Sequence, residues 1–425
     1  MKTAFINGII LDGTKDMKPI YNHMILCQDG IIEDIIPNKK LEDYEIIDLE
    51  NKYIMPGLIN LHVHLPAGGK PKKNPSDPKK LVKLVSMNSL TKKVAIKICQ
   101  DFATTEVLSG VTTIRTAGGI MDVDTLIRDK IKDGKIIGPR ILASNMAISV
   151  PGGHMAGSLA YEATTPKEAS DFVEKIAKDK PDLIKLMITG GVLDAKVKGE
   201  PGELKMAPEL VKAACNKAHE LGLMVAAHTE SPLGVKVALE NGVDTIEHGA
   251  KSDDEMIELY KTHHGALVAT LSPALPFALF DKEVSNASDV EQYNGNIVFE
   301  GIINSAKRCL KEGIPVGIGT DTGCPYITHY DMWRELYYLH KYCNVSNNDA
   351  LHIATLNNAK IAKIDNITGS IEKNKACDFI VSRNNPLDDL RVLRNLDMVV
   401  TNGNIIKNPK VKKMANIEKE LDKFI

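Results

Sequence analysis

Long hydrophobic runs are missing from this sequence of 425 residues. No apolar stretch approaches the roughly 18 residues that a membrane-spanning helix needs, so we expect no membrane span. The N-terminus also turns polar at Asp12-Gly13, before the apolar core of a signal peptide could form. These two absences predict a protein that is neither inserted into a membrane nor exported through one.

Cysteine pair motifs and an excess of charge of one sign are absent as well. The seven cysteines are scattered, odd in number and without a C-x-x-C pair, which favours a reduced, cytoplasmic protein. The formal net charge is −2, so nothing in the charge balance indicates nucleic acid or an acidic membrane surface as a partner. A small-molecule substrate is therefore the expected partner.

What is present falls into two patterns along the chain. Residues 1–55 and 366–412 carry short strand patterns punctuated by turn dipeptides such as Asn402-Gly403, and they predict one small β-sandwich domain formed from both termini. Residues 56–365 alternate apolar strands with helical patterns. This alternation predicts an α/β fold, a (β/α)8 TIM barrel that forms the catalytic domain. The predicted barrel strands are 54–64, 111–116, 140–144, 183–189, 224–228, 245–248, 266–271 and 315–320.

Residues 413–425 carry a narrow apolar stripe. Met414, Ile417, Leu421 and Phe424 recur at the spacing of one helix face. We therefore expect a C-terminal amphipathic helix that packs on the sandwich or on another subunit of a homo-oligomer.

The segment after the first predicted barrel strand is rich in lysine. It is either a solvated irregular loop or a lid over the barrel mouth. Its lysines are Lys70, Lys72, Lys73, Lys79 and Lys80.

Two histidines, one residue apart, end the first barrel strand. Residues i and i+2 of a strand share a face, so His62 and His64 can reach one metal ion. Leu61 and Val63 make the strand apolar on both faces, and imidazoles buried there need a partner. A solvated strand face is the alternative, and it fits this apolar context less well.

Further candidate ligands end other predicted strands. Lys185 is the sole charge in 183–188, where an isolated ammonium is costly unless it is neutralised or modified. His228, His248 and Asp321 each end or follow an apolar strand. One such residue alone is often a turn or capping group, but their shared position indicates a site for divalent metal. Nitrogen and oxygen donors favour zinc first, with manganese, nickel or iron as alternatives.

These strand-end motifs resemble those of the amidohydrolase superfamily over essentially the entire chain. The similarity is greatest to its binuclear, imidazolonepropionase-related branch, which includes Xaa-Pro dipeptidases, arginine and lysine carboxypeptidases, and ochratoxin amidohydrolases. The matching stretches are 56–64, Lys185 with 189–192, 227–229, 246–249 and 319–323.

The resemblance implies a metal-dependent hydrolase of amide bonds: a dipeptidase, a carboxypeptidase or an N-acyl amino acid amidohydrolase. It implies two divalent ions, with zinc expected, bridged by Lys185 after its carboxylation by CO2. His62, His64 and Asp321 would bind the more buried ion, and His228 and His248 the outer one. A metal-bridging hydroxide would be the nucleophile, and Asp321 would be the catalytic residue that moves its proton to the leaving amine.

Four residues are candidates for substrate binding. His154 and Arg115 could clamp a free α-carboxylate, although a loop histidine such as His154 could equally cap a turn. Tyr326 and His329 follow Asp321 and could line the mouth. The carboxypeptidases for basic residues carry an aspartate after the Gly-Gly-His loop, which this chain lacks, so we expect an uncharged side chain on the leaving group.

Two other readings stay open on sequence grounds. A deaminase or a cyclic amide hydrolase of the same superfamily is one; the deaminases mostly use a single metal and no bridging lysine, whereas the cyclic amide hydrolases keep that lysine. The other is a catalytically silent scaffold. Such scaffolds lose metal ligands, while all six candidate ligands are present here.

Overall fold

Strands and helices alternate through the middle of the chain, and strands predominate at its two ends. The structure is a computed structural model that describes residues 2–71 and 78–425. The strands are β1 (Lys2–Ile6), β2 (Ile9–Ile10), β3 (His23–Gln28), β4 (Ile31–Pro37), β5 (Glu45–Asp48), β6 (Tyr53–Pro56), β7 (Leu58–Val63), β8 (Val111–Thr116), β9 (Arg140–Leu142), β10 (Ala147–Ser149), β11 (Ala160–Glu162), β12 (Leu183–Met187), β13 (Met224–Thr229), β14 (Thr245–His248), β15 (Ala266–Ala269), β16 (Val316–Ile318), β17 (Phe379–Ser382), β18 (Met398–Thr401) and β19 (Asn404–Lys407).

The helices cover the outside of the parallel strands. None of the helices in the described residues is long and apolar enough to cross a membrane. The helices are α1 (Pro78–Ser86), α2 (Ser89–Leu108), α3 (Val123–Lys132), α4 (Pro166–Ala177), α5 (Pro208–Glu220), α6 (Pro232–Glu240), α7 (Asp254–His263), α8 (Leu271–Leu279), α9 (Lys282–Ser285), α10 (Asp289–Lys311), α11 (Met332–Cys343), α12 (Asn347–His352), α13 (Asn358–Ile361) and α14 (Ala415–Leu421), with a π-helical turn at Ile353–Asn357 and 3-10 turns at Leu390–Arg394 and Asp422–Phe424.

Two small sheets pack together, one made of N-terminal strands and one that combines strands from both ends of the chain. One has the order β4-β3-β1-β5, and the other has the order β19-β18-β17-β6-β2. Their facing apolar side chains form one core in which the rings of Phe5 and Phe379 meet edge to face, with centroids 5.7 Å apart. The predicted β-sandwich from both termini is therefore confirmed.

Eight parallel strands form the barrel: β7 to β9 in one sheet and β12 to β16 in the other. The two sheets meet where the last strand returns to the first. There the backbone N–H of Asp321 donates to the His62 carbonyl (2.9 Å), and the N–H of His64 donates to the Thr322 carbonyl (3.0 Å). The predicted (β/α)8 barrel is confirmed, and its closure brings the ends of β7 and β16 together.

The first predicted barrel strand, 54–64, is two strands. Its first part, β6, pairs with β17 of the sandwich, and its second part, β7, pairs with β8 of the barrel. The chain passes from one domain to the other at Gly57, where a Cβ would lie 2.1 Å from the Thr112 hydroxyl oxygen. Only glycine fits so close an approach. The apolar run continues through this junction, which is why sequence pattern alone could not divide it.

The barrel helices follow from ordinary helix signals. In α5 the buried residues Leu210, Val211, Ala214 and Ala218 recur at intervals of three and four and face the strands. Pro208 stands at the start of that helix, where its missing N–H costs nothing. Each such helix therefore buries one apolar stripe against the barrel.

The C-terminal helix packs on the main core, and its Glu418 also pairs with Arg394 of the segment predicted to form the sandwich; packing on another subunit stays a prediction. Ile417 and Leu421 are buried in the main core, and Phe424 stacks on Phe280 at 5.5 Å. The cause is the buried cation Arg334 of α11, which pairs with Glu418 at 3.1 Å and with Asp422 at 2.6 Å.

The lysine-rich segment is described only in part. Lys72 and Lys73 lie outside the described residues, whereas Lys79 and Lys80 are exposed residues of α1. The choice between an irregular loop and a lid therefore stays a prediction.

Arg334→Ala should lower the free energy of unfolding by about 3–5 kcal/mol, because removing one partner of a buried ion pair leaves the other charge uncompensated. The buried carboxylate of Asp331, 3.0 Å from Arg334, loses its partner as well. Urea unfolding followed by fluorescence is a direct measurement, since the chain's single tryptophan, Trp333, is buried beside this network. Arg391→Ala is the matched control, because Arg391 pairs with Asp389 in an exposed position and its loss should leave the unfolding midpoint unchanged. Equal shifts in both variants would contradict the anchoring role of Arg334.

Candidate metal centre

The structure brings all six predicted metal ligands to one pocket at the carboxyl ends of the barrel strands. Each of them is buried, and Lys185 is fully so. The six are His62 and His64 on β7, Lys185 on β12, His228 on β13, His248 on β14 and Asp321 after β16.

The imidazoles of the centre are oriented by hydrogen bonds from one ring nitrogen. His62 uses Nδ1 to donate to Glu247 Oε2 (2.7 Å), and His64 uses Nδ1 to donate to the Gly118 carbonyl (2.9 Å). The other nitrogen, Nε2, lies 3.5 Å from Asp321 Oδ1 in His62 and 3.2 Å in His64. His248 follows the same pattern, with its Nδ1 2.6 Å from the hydroxyl of Thr270. The acceptors Glu247 and the Gly118 carbonyl fix the tautomer of His62 and His64 in which Nε2 carries a free lone pair, as a metal ligand requires. His228 instead uses Nε2 to donate to the Gly190 carbonyl (3.2 Å), which leaves the lone pair on its Nδ1.

Three histidines of the centre have lowered pKa values. Burial, together with Lys185, lowers the pKa of His62 to about 4. Burial also lowers the pKa values of His228 and His248 well below the usual range. Neutral imidazoles leave their lone pairs available at neutral pH.

Lys185 and Asp321 carry polar atoms without a hydrogen bond. Among the described residues, Lys185 Nζ and Asp321 Oδ1 find no hydrogen-bond partner, although both are buried. Burial, aided by Arg115, lowers the pKa of Lys185 to about 8. Burial favours the protonated form of Asp321, but the imidazoles of His62 and His64 outweigh that effect and hold its pKa well below the usual range. Asp321 Oδ1 is an anionic oxygen without a hydrogen bond, and the imidazole lone pairs lie close to it. Such a set of donor atoms is suited to binding a cation.

The donor atoms are close enough to share metal ions. One ligand atom each from His62, His248 and Asp321 lie within 4.8 Å of one another, and the same holds for His228, Glu230 and His248. His248 belongs to both groups. The geometry is therefore that of a candidate metal site built from histidine and carboxylate ligands.

Arg115, predicted to bind substrate, instead holds the barrel interior together. Its Nη2 pairs with Glu247 Oε1 (2.6 Å), its Nε donates to the Leu61 carbonyl (2.8 Å), and its Nη1 donates to the Thr245 hydroxyl (3.0 Å). It is 3% exposed and is not among the residues that line the pocket. A guanidinium committed to these partners is not available to clamp a carboxylate, which corrects the prediction.

Tyr326 and His329 also lie away from the pocket lining. The Tyr326 hydroxyl donates to the Val284 carbonyl. His329 is held between Glu106 (2.9 Å from Nδ1) and the carbonyl of Ala67 (2.8 Å from Nε2). Neither side chain is among the residues that line the pocket, and their predicted place at the mouth stays a prediction.

His154 does line the pocket. Its ring stacks on that of His228, with centroids 4.2 Å apart and planes 5° apart, and its Nδ1 lies 2.6 Å from Asp194 Oδ2. Burial favours the protonated form of Asp194, but the contact with His154 outweighs this and lowers the pKa of the carboxyl group. An oriented imidazole beside the metal ligands can present its second nitrogen to a bound molecule.

The pocket combines an apolar wall with a few polar groups in a volume of about 110 Å³. The wall comes mainly from α8 and α10, with Pro273, Ala274, Phe277, Val298 and Ile302. Glu230 is the acidic wall residue: its Oε2 accepts a hydrogen bond from the Val192 N–H (2.9 Å). Burial and the nearby Asp321 carboxylate raise the pKa of Glu230 to about 8.

Sequence reasoning missed Glu247, Glu230 and Asp194. Two of them had a usable signal, since Glu247 is a charge within an apolar strand and Glu230 stands two residues after His228, on the same face of the chain. Asp194 lies in a loop, and its sequence position carries no such sign.

Comparison with known proteins agrees with this geometry. Residues 53–406 match the model of the amidohydrolase family. Among curated proteins, the chain is 23% identical to ochratoxinase of Aspergillus niger over 440 aligned residues, which cover 96% of this chain and 87% of that protein.

Two solved structures share the fold over nearly their full lengths. A candidate prolidase from Bifidobacterium longum is 36% identical, with a TM-score of 0.87 and coverage of 99% of this chain and 98% of that chain. A Xaa-Pro dipeptidase with methionine bound in its active site is 28% identical, with a TM-score of 0.84 and coverage of 96% and 100%. The barrel, the buried ligands and these similarities lead to one conclusion: the chain is a hydrolase that belongs to the amidohydrolase family.

Proposed function

We propose that this chain is a binuclear, zinc-dependent amidohydrolase that cleaves a dipeptide or an N-acyl amino acid at its amide bond. The observation that carries the proposal is the buried Lys185 amine, which has no hydrogen-bond partner among the described residues and lines the same pocket as Asp321 and the four histidines predicted to bind metal. Similarity to a Xaa-Pro dipeptidase and to ochratoxinase supports an amide substrate.

The chain's own residues divide into two ligand sets. His62, His64 and Asp321 would hold one ion, and His228 and His248 would hold the other. Lys185 would join the two sets as a carbamate. Its amine, in the neutral form, adds to CO2 and releases a proton. The product places an anion where an ammonium would be a costly buried cation. When bound, the ions would supply a water of lowered pKa and polarise the scissile carbonyl.

Asp321 would act as the proton carrier. Its low pKa keeps it ionised at neutral pH, so it can accept a proton from the attacking water. The same carboxyl group can then donate that proton to the leaving nitrogen. A left-handed backbone, with φ of 56°, holds this side chain at the end of β16.

His154 and the apolar wall would select the substrate. With its Nδ1–H donating to Asp194, His154 would need the imidazolium form to donate from its second nitrogen, and that form would pair with an α-carboxylate on the leaving side. The wall formed by Phe277, Val298 and Ile302 suits an uncharged apolar or imino-acid side chain.

Replacing Lys185 by alanine should remove the metals and the activity together. Elemental analysis should find about two metal ions per chain in the zinc-loaded wild type and fewer than one in Lys185→Ala, with partial rescue of activity by short carboxylic acids. The exposed Lys212→Ala on α5 is the matched control and should keep both ions. Protein equilibrated with ¹³C-bicarbonate should show a carbamate resonance that Lys185→Ala lacks. Full metal loading of Lys185→Ala would exclude Lys185 as a metal ligand and sink the proposal, whereas fewer than one ion in the wild type would favour a catalytically silent scaffold.

Asp321→Asn should lower kcat by about 10² to 10⁴, because it removes the group that moves the proton. Its fold and much of its metal should persist, as circular dichroism and elemental analysis would show. Asp179→Asn changes an exposed aspartate in the same way and should leave kcat unaltered. If Asp321→Asn kept more than about a tenth of wild-type kcat, another group would have to carry the proton, and His154 would be tested next.

The substrate preference can be measured with Xaa-Pro, Xaa-Leu, Xaa-Phe and Xaa-Arg dipeptides and their C-terminal amides. We expect the free acids to be cleaved faster than the amides, and Xaa-Arg to have a kcat/KM more than about a hundredfold below Xaa-Leu, because the apolar wall leaves the guanidinium unpaired. His154→Gln should reduce the preference for acid over amide, while the exposed His263→Gln should not. A preference for Xaa-Arg would show that Glu230 acts as a counter-ion, and equal turnover of acid and amide would remove the carboxylate clamp.

A further inference from the structure

Two buried cysteines meet in the terminal sandwich, away from the metal centre. Cys27 lies on β3, and Cys377 lies just before β17. Their sulfur atoms are 2.6 Å apart, although the two residues are separated by 350 positions in sequence. The remaining cysteines lie in barrel helices or in the loop after β16: Cys99, Cys215, Cys309, Cys324 and Cys343.

The backbone around both cysteines is fixed by hydrogen bonds. The N–H of Cys377 donates to the Gly30 carbonyl (2.8 Å), and the N–H of Gly403 donates to the carbonyl of Cys377 (3.3 Å). Ile31 and Ala376 form an antiparallel bridge next to the pair. The contact between the two sulfurs therefore follows from strand pairing and does not depend on the free rotation of one side chain.

Small molecules can approach the pair from solvent. Cys27 and Cys377 are 4% and 1% exposed, yet both line a surface pocket of about 230 Å³ together with Thr3 and Asn402. The pocket gives a small oxidant a route to the sulfurs without unfolding of the barrel.

From this geometry we infer that Cys27 and Cys377 form an intrachain disulfide that joins the N-terminal and C-terminal parts of the sandwich. Their sulfurs need to move by only about 0.5 Å to reach bonding distance. The sequence does not indicate this pair by a C-x-x-C motif, because strand pairing and not sequence proximity brings the two residues together.

The bond would form by thiol–disulfide exchange with a small-molecule disulfide such as oxidised glutathione. One cysteine thiolate attacks the oxidant and expels one glutathione thiolate, leaving a mixed disulfide. The second cysteine thiolate attacks that mixed disulfide and expels the second glutathione. The two thiols thus lose two protons and two electrons, and the oxidant is reduced to two thiols.

The reaction of the native pair should be slow at neutral pH. The adjacent Cys27 sulfur and burial both raise the pKa of Cys377, so little of the reactive thiolate is present. Once formed, the bond would close a loop that contains the entire barrel, and a loop of that length restricts the unfolded chain strongly.

The experiment counts thiols in the full-length, folded protein. One sample is equilibrated with excess oxidised glutathione at about pH 9, where thiolates are more abundant, and the other with a dithiol reductant. Both are then alkylated in denaturant and measured by intact mass and peptide mapping. We expect seven alkylated cysteines in the reduced sample, and in the oxidised one two fewer, with a cross-linked peptide pair containing Cys27 and Cys377. The oxidised sample should also melt about 5 °C or more higher.

Variants separate this pair from the other cysteines. Cys27→Ser/Cys377→Ser should show no difference in thiol count or Tm between the two samples, whereas the control Cys215→Ser should keep both differences. Seven alkylated cysteines after oxidation, a glutathione adduct that does not resolve, or a cross-link between other residues would overturn the inference.

Discussion

The buried carboxylate of Glu247 is the group on which the rest of the centre depends. It is fully buried between the Arg115 guanidinium and the His62 imidazole, and it accepts a further hydrogen bond from Thr245. Burial alone would raise its pKa, but the Arg115 guanidinium, with the hydrogen bond from His62, helps to outweigh burial and hold the pKa well below the usual range. One permanent negative charge thereby fixes the tautomer of His62 and ties β7, β8 and β14 together, without lining the pocket itself.

Strands and helices supply different parts of the centre. The strand ends carry the ligand residues, whose positions are fixed by ladder hydrogen bonds and by side chains such as Glu247. Helices α8 and α10 carry the apolar wall, which includes Phe277, Val298 and Ile302. Wall residues can therefore change while the chemistry is conserved in place, which is how one barrel accommodates different substrates.

The sequence predicted what local periodicity encodes. His62 and His64 were identifiable because residues i and i+2 share a strand face. Lys185 was identifiable because an isolated charge is costly to bury in an apolar strand. Arg115 was assigned to the substrate because its position near a strand end says nothing about the direction of its side chain, which is set by Glu247, 132 residues away. The division of 54–64 at Gly57 was invisible for a similar reason, since it depends on the approach of Thr112. Residue types could be interpreted from the sequence, whereas contacts between residues distant in sequence could not be predicted.

Closure of the barrel also bears on how the protein is made. The first and last strands are joined by Asn60, whose side chain donates to the Thr320 hydroxyl (2.8 Å) and accepts from the Thr320 N–H (3.0 Å), across 260 positions of sequence. A chain growing on the ribosome therefore exposes His62 and His64 long before Asp321 exists. Contacts so far apart in sequence form late in folding. A truncated or stalled chain that lacks the eighth strand consequently cannot assemble the full set of candidate ligands, so binding of metal by all of them would require synthesis to pass Asp321.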